Sequence, residues 1–383
     1  MENFGSWWYR NEGKLSAARV LNILSTDSGP VNTCMKHSNS KIDNAVSVAI
    51  AIYNGEKHIV ALLDSIVAQT HRPAEIVCSD DASTDASVEI LSDYAKSCPI
   101  PVKIARHQQN IGIIENFLSA FRGTSCPLIA YCDQDDVWMT TKLERAVGAM
   151  GADTSLVCHP SVICDGDLIS RGSVYYNAVD DIVLEFPANS LLMHVWGHQM
   201  VFSRRTLETL LELYENEGFK TSEAGTNFDY GIPFAASLCG RLYFSAEPQT
   251  LFRRHAGANS DAGIEVEHST RSIPDRVAMR IKYYTWTRKF LLEVLPVLDR
   301  INPATFRDRD GTRRVYADHL KLVDRKLRLS DTEGFYRRAK QLPFVIYELL
   351  AAQGFNKKVL KEAVADILTV YYGNDGAKSG KIR

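Results

Sequence analysis

From residue 45 onward, the apolar positions of the chain switch repeatedly between two spacings. Val46-Ser47-Val48-Ala49-Ile50-Ala51-Ile52 is a short apolar run of the kind that forms a buried strand. Tyr53-Asn54-Gly55-Glu56 then reads as a turn, with a glycine for a special backbone angle. Over residues 58–69 the apolar positions Ile59, Leu62, Leu63, Ile66 and Val67 fall on one helix face, and Pro73 stops that segment. Residues 75–78 predict a second strand. Ser83-Thr84-Asp85 offers capping side chains for a helix over 86–97, whose apolar positions are Val88, Ile90, Leu91 and Tyr94. A short strand over 102–105, a turn at Asn110-Ile111-Gly112, a helix over 113–122 and a strand over 128–132 continue the series. Strands and helices alternating through short loops predict an α/β domain with a largely parallel sheet and right-handed crossovers.

Beyond residue 150 the pattern loosens. Residues 156–158 and 161–164 predict strands, followed by a hairpin-like turn at Asp165-Gly166-Asp167. A strand over 197–202 precedes a helix over 205–215. Asn227-Phe228-Asp229-Tyr230 opens another helix, and 240–246 reads as a strand. From Pro274 the chain is mostly helical and basic, with apolar stripes at Leu291-Leu292, Val294-Leu295, Val297-Leu298, Val345-Ile346 and Leu349-Leu350. These stripes fit a packed bundle or dimer face, with a membrane-surface helix as the alternative. Residues 1–44 have little periodicity, and Trp7-Trp8-Tyr9-Arg10 reads as a local packing segment. The expected division is an extension over 1–44, a catalytic domain over 45–265 and a mainly helical region over 266–383.

Bulk composition narrows the partners. The 383 residues are 45% hydrophobic and 23% charged, as in ordinary globular proteins. A formal net charge of -2 gives no bulk attraction to nucleic acid, which is not an expected partner. Between residues 271 and 340, Lys and Arg outnumber Asp and Glu by about two to one. That excess reads as solvated helix faces, or as a surface for an anionic membrane or a phosphate-bearing acceptor. The cysteines Cys34, Cys78, Cys98, Cys126, Cys132, Cys158, Cys164 and Cys239 form no CxxC pair and suit small buried hydrophobes in a reducing compartment. Residues 1–30 lack a signal-type apolar segment, and no apolar run approaches membrane-span length. The expectation is a cytoplasmic protein, with any membrane contact peripheral at the inner face of the plasma membrane.

The candidate chemistry lies at the strand ends. Cys132-Asp133-Gln134-Asp135-Asp136 places three carboxylates within four residues, directly after the apolar run over 127–131. Like charges this close repel and raise one another's pKa unless a cation or proton neutralises them. In an extended segment Asp133 and Asp135 would share a side and suit Mg²⁺ or Mn²⁺, the substrate diphosphate completing the shell. The same residues also read as a surface turn, with Asp136 capping a following helix. Ser79-Asp80-Asp81-Ala82-Ser83 follows the second strand and reads as turn chemistry or as a nucleobase and ribose contact.

Four segments together resemble the family 2 glycosyltransferases with the GT-A fold: Val48 through Glu56, Ser79-Asp80-Asp81-Ala82-Ser83-Thr84-Asp85, Asn110-Ile111-Gly112, and Asp133-Gln134-Asp135-Asp136-Val137-Trp138. The resemblance covers residues 46–259, and the last motif looks most like bacterial rhamnosyltransferase-type members that build cell-surface polysaccharide. It implies a Rossmann-like nucleotide-binding half, an acceptor half, and Mn²⁺ or Mg²⁺ as cofactor. Ala51, Ile52, Tyr53, Asn54, Glu56, Asn110 and Gln134 would flank the nucleotide. Asp80 and Asp81 would hold its base. Asp133, Asp135 and His255 would hold the metal, with Asp133 and Arg253 beside the diphosphate. Asp229 would be the general base; Glu223 is the backup, and a helix N-cap is the ordinary alternative for Asp229. The segment over 249–259 resembles the family's Tyr-Arg-x-His-x-x-Asn motif, ending in Asn259. His198 reads as buried and structural, or as close to the acceptor.

The implied reaction is inverting transfer from a UDP- or dTDP-linked sugar to a saccharide or lipid-linked saccharide, as in bacterial polysaccharide or O-antigen synthesis. A homodimer is compatible with the apolar stripes. Two other classes compete: a silent nucleotide-sugar or carbohydrate-binding module, and a nucleotidyltransferase. The module has no need of a base at Asp229. The nucleotidyltransferase would want a Gly- and Arg/Lys-rich loop, which Tyr53-Asn54-Gly55-Glu56-Lys57 does not resemble.

Overall fold

The computed structural model describes residues 44–175, 181–184, 195–215, 217–220, 227–255, 273–301, 306 and 308–330. The arm with Trp7-Trp8-Tyr9-Arg10, Cys34, Glu223, Asn259 and the stripes at Val345-Ile346 and Leu349-Leu350 lie outside these residues. The chain divides into two compact units, one containing residues up to 264 with 301–309, the other 265–300 and residues from 310.

In the first unit, strand β1 (Val46–Ile52) is buried along its whole length. It pairs in parallel with β2 (Glu75–Asp80) on one side and β4 (Leu128–Cys132) on the other, and β2 pairs in parallel with β3 (Val102–Arg106). Helices α1 (Ile59–Val67), α2 (Ser87–Ser97) and α3 (Ile113–Arg122) supply the crossovers. Ile50, Ile52, Leu62, Ile66, Ile76 and Leu91 belong to one buried cluster with Ala130 and Cys132. Strands buried on both faces lose little by being apolar throughout, which explains the unbroken run over β1.

The sheet then becomes mixed. The eight strands run β3-β2-β1-β4-β10-β6-β11-β9, with β10 (Met200–Ser203) antiparallel to both β4 and β6 (Thr154–Cys158). β11 (Arg241–Phe244) is parallel to β6, and β9 (Ile182–Leu184) closes the edge antiparallel. A second sheet has the order β5 (Val137–Trp138), β12 (Thr250–Arg253), β7 (Ser161–Cys164) and β8 (Ser170–Tyr175). Helices α4 (Lys142–Ala149), α5 (Arg204–Tyr214), α6 (Glu217–Lys220) and α7 (Phe228–Cys239) complete the described part of this unit. The expected α/β architecture, with a parallel half and a second half beside it, is present.

The second unit contains α8 (Ile273–Leu298) and α9 (Arg309–Ser330), so the described part of the C-terminal region is helical as expected. Arg288 Nε lies 2.7 Å from Asp324 Oδ1 and Arg313 Nε 2.9 Å from Asp299 Oδ1, so part of the basic excess is locally paired. Leu291, Val294, Val297 and Leu298 are buried. Among the described residues, no helix is long and apolar enough to cross a membrane.

Candidate active site

Parallel pairing brings three loops to one sheet edge. Ile52 pairs with Asp80, and Ile50 with Cys132, so the segments after β1, β2 and β4 emerge side by side. Such an edge is where parallel α/β sheets bind ligands. The loops are stitched by side chains. The Gln134 amide accepts from Tyr53 N–H at 2.9 Å and donates to Tyr53 C=O at 3.0 Å. Gly55 permits this closeness, because a Cβ there would lie 2.5 Å from Gln134 Oε1. Asn54 has φ 51°, and its N–H donates to Ser83 Oγ while its Oδ1 accepts from Thr84 N–H. Glu56 N–H donates to Asp85 Oδ2 at 3.1 Å, and Glu56 Oε2 accepts from Ala86 N–H at 3.0 Å. Ala51 and Ile52 are buried under this loop, and the Tyr53 side chain is exposed.

Asp80 and Asp81 divide the work of the second loop. Asp81 accepts from Ile111 N–H at 2.6 Å and from Gly112 N–H at 3.0 Å. It therefore fixes the turn in which Gly112 takes φ 87° and which carries the exposed Asn110. Asp80, inside the strand rather than after it, accepts from Ser83 N–H with Oδ2, while its buried Oδ1 has no hydrogen-bond partner. The Arg106 guanidinium is 3.5 Å from that carboxylate.

Asp133 to Asp136 form a turn, not an extended strand, so the shared-side argument from strand geometry does not apply. Nor does Asp136 cap a helix. It is fully buried, β5 follows it, and its Oδ1 accepts from Arg253 N–H at 3.0 Å. Burial, then the charges of Asp135 and Asp133, push its carboxyl well above the usual range. The Arg253 guanidinium is turned to main chain, with Nε donating to Asp135 C=O at 2.8 Å and Nη1 to Gly166 C=O. It braces the acidic turn. Asp135 Oδ2 lies 3.0 Å from His255 Nε2, and the His58 ring is 4.7 Å from the His255 ring. Burial and Asp133 raise the Asp135 carboxyl, and His255 opposes the rise. Burial, followed by Arg253, lowers His58.

Asn227, not Asp229, is the N-cap of α7; its side chain accepts from Asp229 N–H at 2.9 Å. The half-buried Asp229 accepts from Gly197 N–H at 2.9 Å. Residues 197–199, expected as strand, form a 3-10 turn before β10. There His198 is fully buried, with Nδ1 3.5 Å from Asp133 Oδ2 and 3.7 Å from Asp136 Oδ2. Lys142 is also buried. Its ammonium donates to His198 C=O at 2.5 Å and to Thr250 Oγ1 at 2.8 Å, and burial pushes it down to about 8. Sequence reasoning missed Lys142 and His58. A lone Lys within Thr140-Thr141-Lys142-Leu143 and a His at a helix start carry no periodic signal.

The donors present fit a hard divalent cation. Asp133, Asp135 and His255 have side chains 31%, 17% and 24% exposed, so a ligand can reach them. Asp133, Asp136 and His198 have ligand atoms within 4.8 Å of one another, and buried Asp136 Oδ2 and His198 Nδ1 have no hydrogen-bond partner. Carboxylate oxygens with an imidazole suit Mn²⁺ or Mg²⁺ completed by phosphate oxygens.

Residues 47–211 match the model of glycosyl transferase family 2. An uncharacterized protein of Mycobacterium tuberculosis is 37% identical over 224 residues, 55% of this chain and 59% of that protein. A glucosyltransferase of Escherichia coli, described as UDP-Glc:alpha-D-GlcNAc-diphosphoundecaprenol beta-1,3-glucosyltransferase WfaP, is 29% identical over 33% of this chain and 49% of its own length. The structure of residues 1–349 of S. aureus TarS superposes with a TM-score of 0.49 at 16% identity, covering 88% of this chain and 92% of that one. The chain spans between 38% and 59% of the first curated relatives it matches.

Proposed function

We propose that the protein is an inverting, metal-dependent glycosyltransferase that moves a sugar from a nucleoside diphosphate sugar to a saccharide or lipid-linked saccharide acceptor in bacterial polysaccharide synthesis. One observation carries this reading. On the loop after β4, Asp135 lies 3.0 Å from His255 and Asp133 lies 3.5 Å from His198, while a separate carboxylate, Asp229, is held at Gly197 N–H. The E. coli relative, described as using UDP-Glc and a diphosphoundecaprenol-linked sugar, supports a UDP- or dTDP-linked donor and a lipid-linked acceptor. Such an acceptor would bring the protein to the inner face of the plasma membrane as a peripheral visitor.

Asp229 removes the proton from the acceptor hydroxyl as its oxygen bonds to the anomeric carbon. The bond from that carbon to the diphosphate oxygen breaks, its electron pair leaves with the diphosphate, and one displacement inverts the centre. Asp133, Asp135 and His255 would hold Mn²⁺ or Mg²⁺, which supplies charge stabilisation to the leaving diphosphate. Tyr53, Asn54, Glu56, Asp81 and Asn110 would shape the nucleotide pocket, chiefly by fixing loop backbone, with Gln134 and Arg253 bracing the acidic turn.

Calorimetric titration with UDP and dTDP plus Mn²⁺, and turnover of the corresponding sugar nucleotides, test this. Asp135→Ala should weaken Mn²⁺-dependent nucleotide binding by about tenfold or more. Asp229→Asn should leave binding within about twofold and lower turnover by about 10²- to 10⁴-fold. Full activity in both variants would overturn the assignments. Nucleotide binding by a protein that transfers to no acceptor and hydrolyses no donor would favour the binding module instead.

A further inference from the structure

We infer that residues 196–199 form a strut that sets the proposed base and the proposed metal carboxylate in one geometry, with His198 as its positioning residue. The inference rests on the transferase reading above. At one end, Gly197 N–H donates to Asp229 Oδ1 at 2.9 Å, and Val195 N–H donates to Asp229 C=O at 3.2 Å. At the other, one residue on, His198 Nδ1 faces Asp133 Oδ2 at 3.5 Å and Asp136 Oδ2 at 3.7 Å. Only one peptide unit separates the contacts, so a displacement at either end must be felt at the other.

Every residue of the strut is held. Gly197 lies against Tyr131, where a Cβ would come within 2.2 Å of the ring. Tyr131 stands two residues before Asp133, so this contact ties the strut to the strand that carries the acidic turn. The His198 ring stacks on Phe252 with centroids 4.4 Å apart and an interplanar angle of 15°. Its carbonyl is held by Lys142, and Gln199 Oε1 accepts from Trp196 N–H at 3.2 Å.

The hydrogen-bond chain accommodates the tautomer that the strut requires. Gln199 Nε2 donates to Ser161 Oγ at 3.2 Å, and Ser161 Oγ is 2.7 Å from His198 Nε2. The hydroxyl hydrogen is thereby free to go to Nε2 as acceptor, leaving the ring proton on Nδ1, toward the Asp133 carboxylate. His198 thus orients Asp133 from behind, as an outer partner orients a metal-ligating carboxylate. It need touch neither metal nor sugar.

Asn and Gln at position 198 separate orientation from mere filling of space. Asn places its amide near the Nδ1 position, within reach of the carboxylates; Gln places it near Nε2, toward Ser161. In the full chain, H198N should bind UDP or dTDP with Mn²⁺ within about threefold of the unaltered protein, and H198Q should weaken about tenfold, at matched melting temperatures. Equal weakening in both, or affinity that only tracks the melting temperature, would overturn the strut. A measurement on the unaltered protein is independent of folding of the variants: imidazole ¹⁵N shifts should give His198 as the Nδ1–H tautomer, and the Nε2–H tautomer refutes the inference. Loss of binding in Asp135→Ala alongside no difference between H198N and H198Q sinks the strut alone. Absence of nucleotide binding by the unaltered protein sinks the transferase reading and the strut together.

Discussion

The two halves of the candidate site are made in different ways. The proposed nucleotide side, residues 46–136, repeats one unit: strand, loop, helix, next parallel strand. Each chemical motif occupies the same place in that unit, and parallel register aligns the loops. The proposed acceptor side, residues 195–255, has no such unit. β10 inserts antiparallel between β4 and β6, and β12 leaves the main sheet for the smaller one. Its site residues converge through single contacts between distant segments, such as Gly197 with Asp229 and Arg253 with Asp136. A repeated unit spreads the tolerance for error over many hydrogen bonds, whereas a strut concentrates it.

Three perturbations sharpen that contrast, beginning with the largest. Glu75 closes the far edge of the parallel half. Burial works against its charge, but the Lys103 ammonium at 2.6 Å, Ser47 and Ser125 hold the carboxyl down to about 2. A depressed carboxyl pKa stabilises the fold fully above its unfolded value of about 4.5, and that stabilisation fades as pH falls toward about 2. It is worth about 3 kcal/mol. Urea unfolding should therefore show Glu75→Gln less stable by roughly that amount near pH 7, with the gap shrinking on acidification. A gap independent of pH would remove Glu75 as the acid-sensitive tie.

Gly197→Ala attacks the strut. The added methyl would meet the Tyr131 ring, so the turn must move at a cost of about 2 kcal/mol. If the acceptor side is the brittle one, turnover should fall by much more than stability alone predicts, with nucleotide binding also weakened. Unchanged kinetics would make the two halves equally tolerant.

Gln134→Ala removes the paired bonds to Tyr53 on the nucleotide side. Neighbouring stitches at Asn54, Gly55 and Glu56 remain. The expected loss is about 1 kcal/mol in thermal unfolding, with a small rise in the nucleotide Kd. A larger loss than in Gly197→Ala would reverse the comparison.

Legibility in the sequence follows the same division. Val46–Ile52, Ile113–Arg122 and Leu128–Cys132 occur where apolar periodicity puts them, because burial of a whole strand or one helix face writes itself into the residue pattern. β5, β9 and β12 escaped prediction, being two to four residues long and set by pairing with distant partners. Residues 197–199 were misread as strand because they run directly into the apolar Met200-Val201-Phe202, while the turn depends on the Tyr131 ring and the Asp229 carboxylate. Asp136 was misread for the same kind of reason. A carboxylate in a polar run looks exposed until Arg253, 117 positions away, brings its N–H to it.

The sequence by itself determined the parallel half and the three loop motifs, and it supplied the acidic residues from which the proposed site is drawn. Those features are repeated locally, so spacing alone carries them. Only the tertiary structure decided how the charges are shared. It buried Asp136 and His198 behind Asp133, brought Lys142 beneath them, turned Arg253 toward the backbone and left Asp135 with His255 at the accessible edge. A buried charge is tolerable only with its partner in place, and the partners come from segments whose approach no local pattern records.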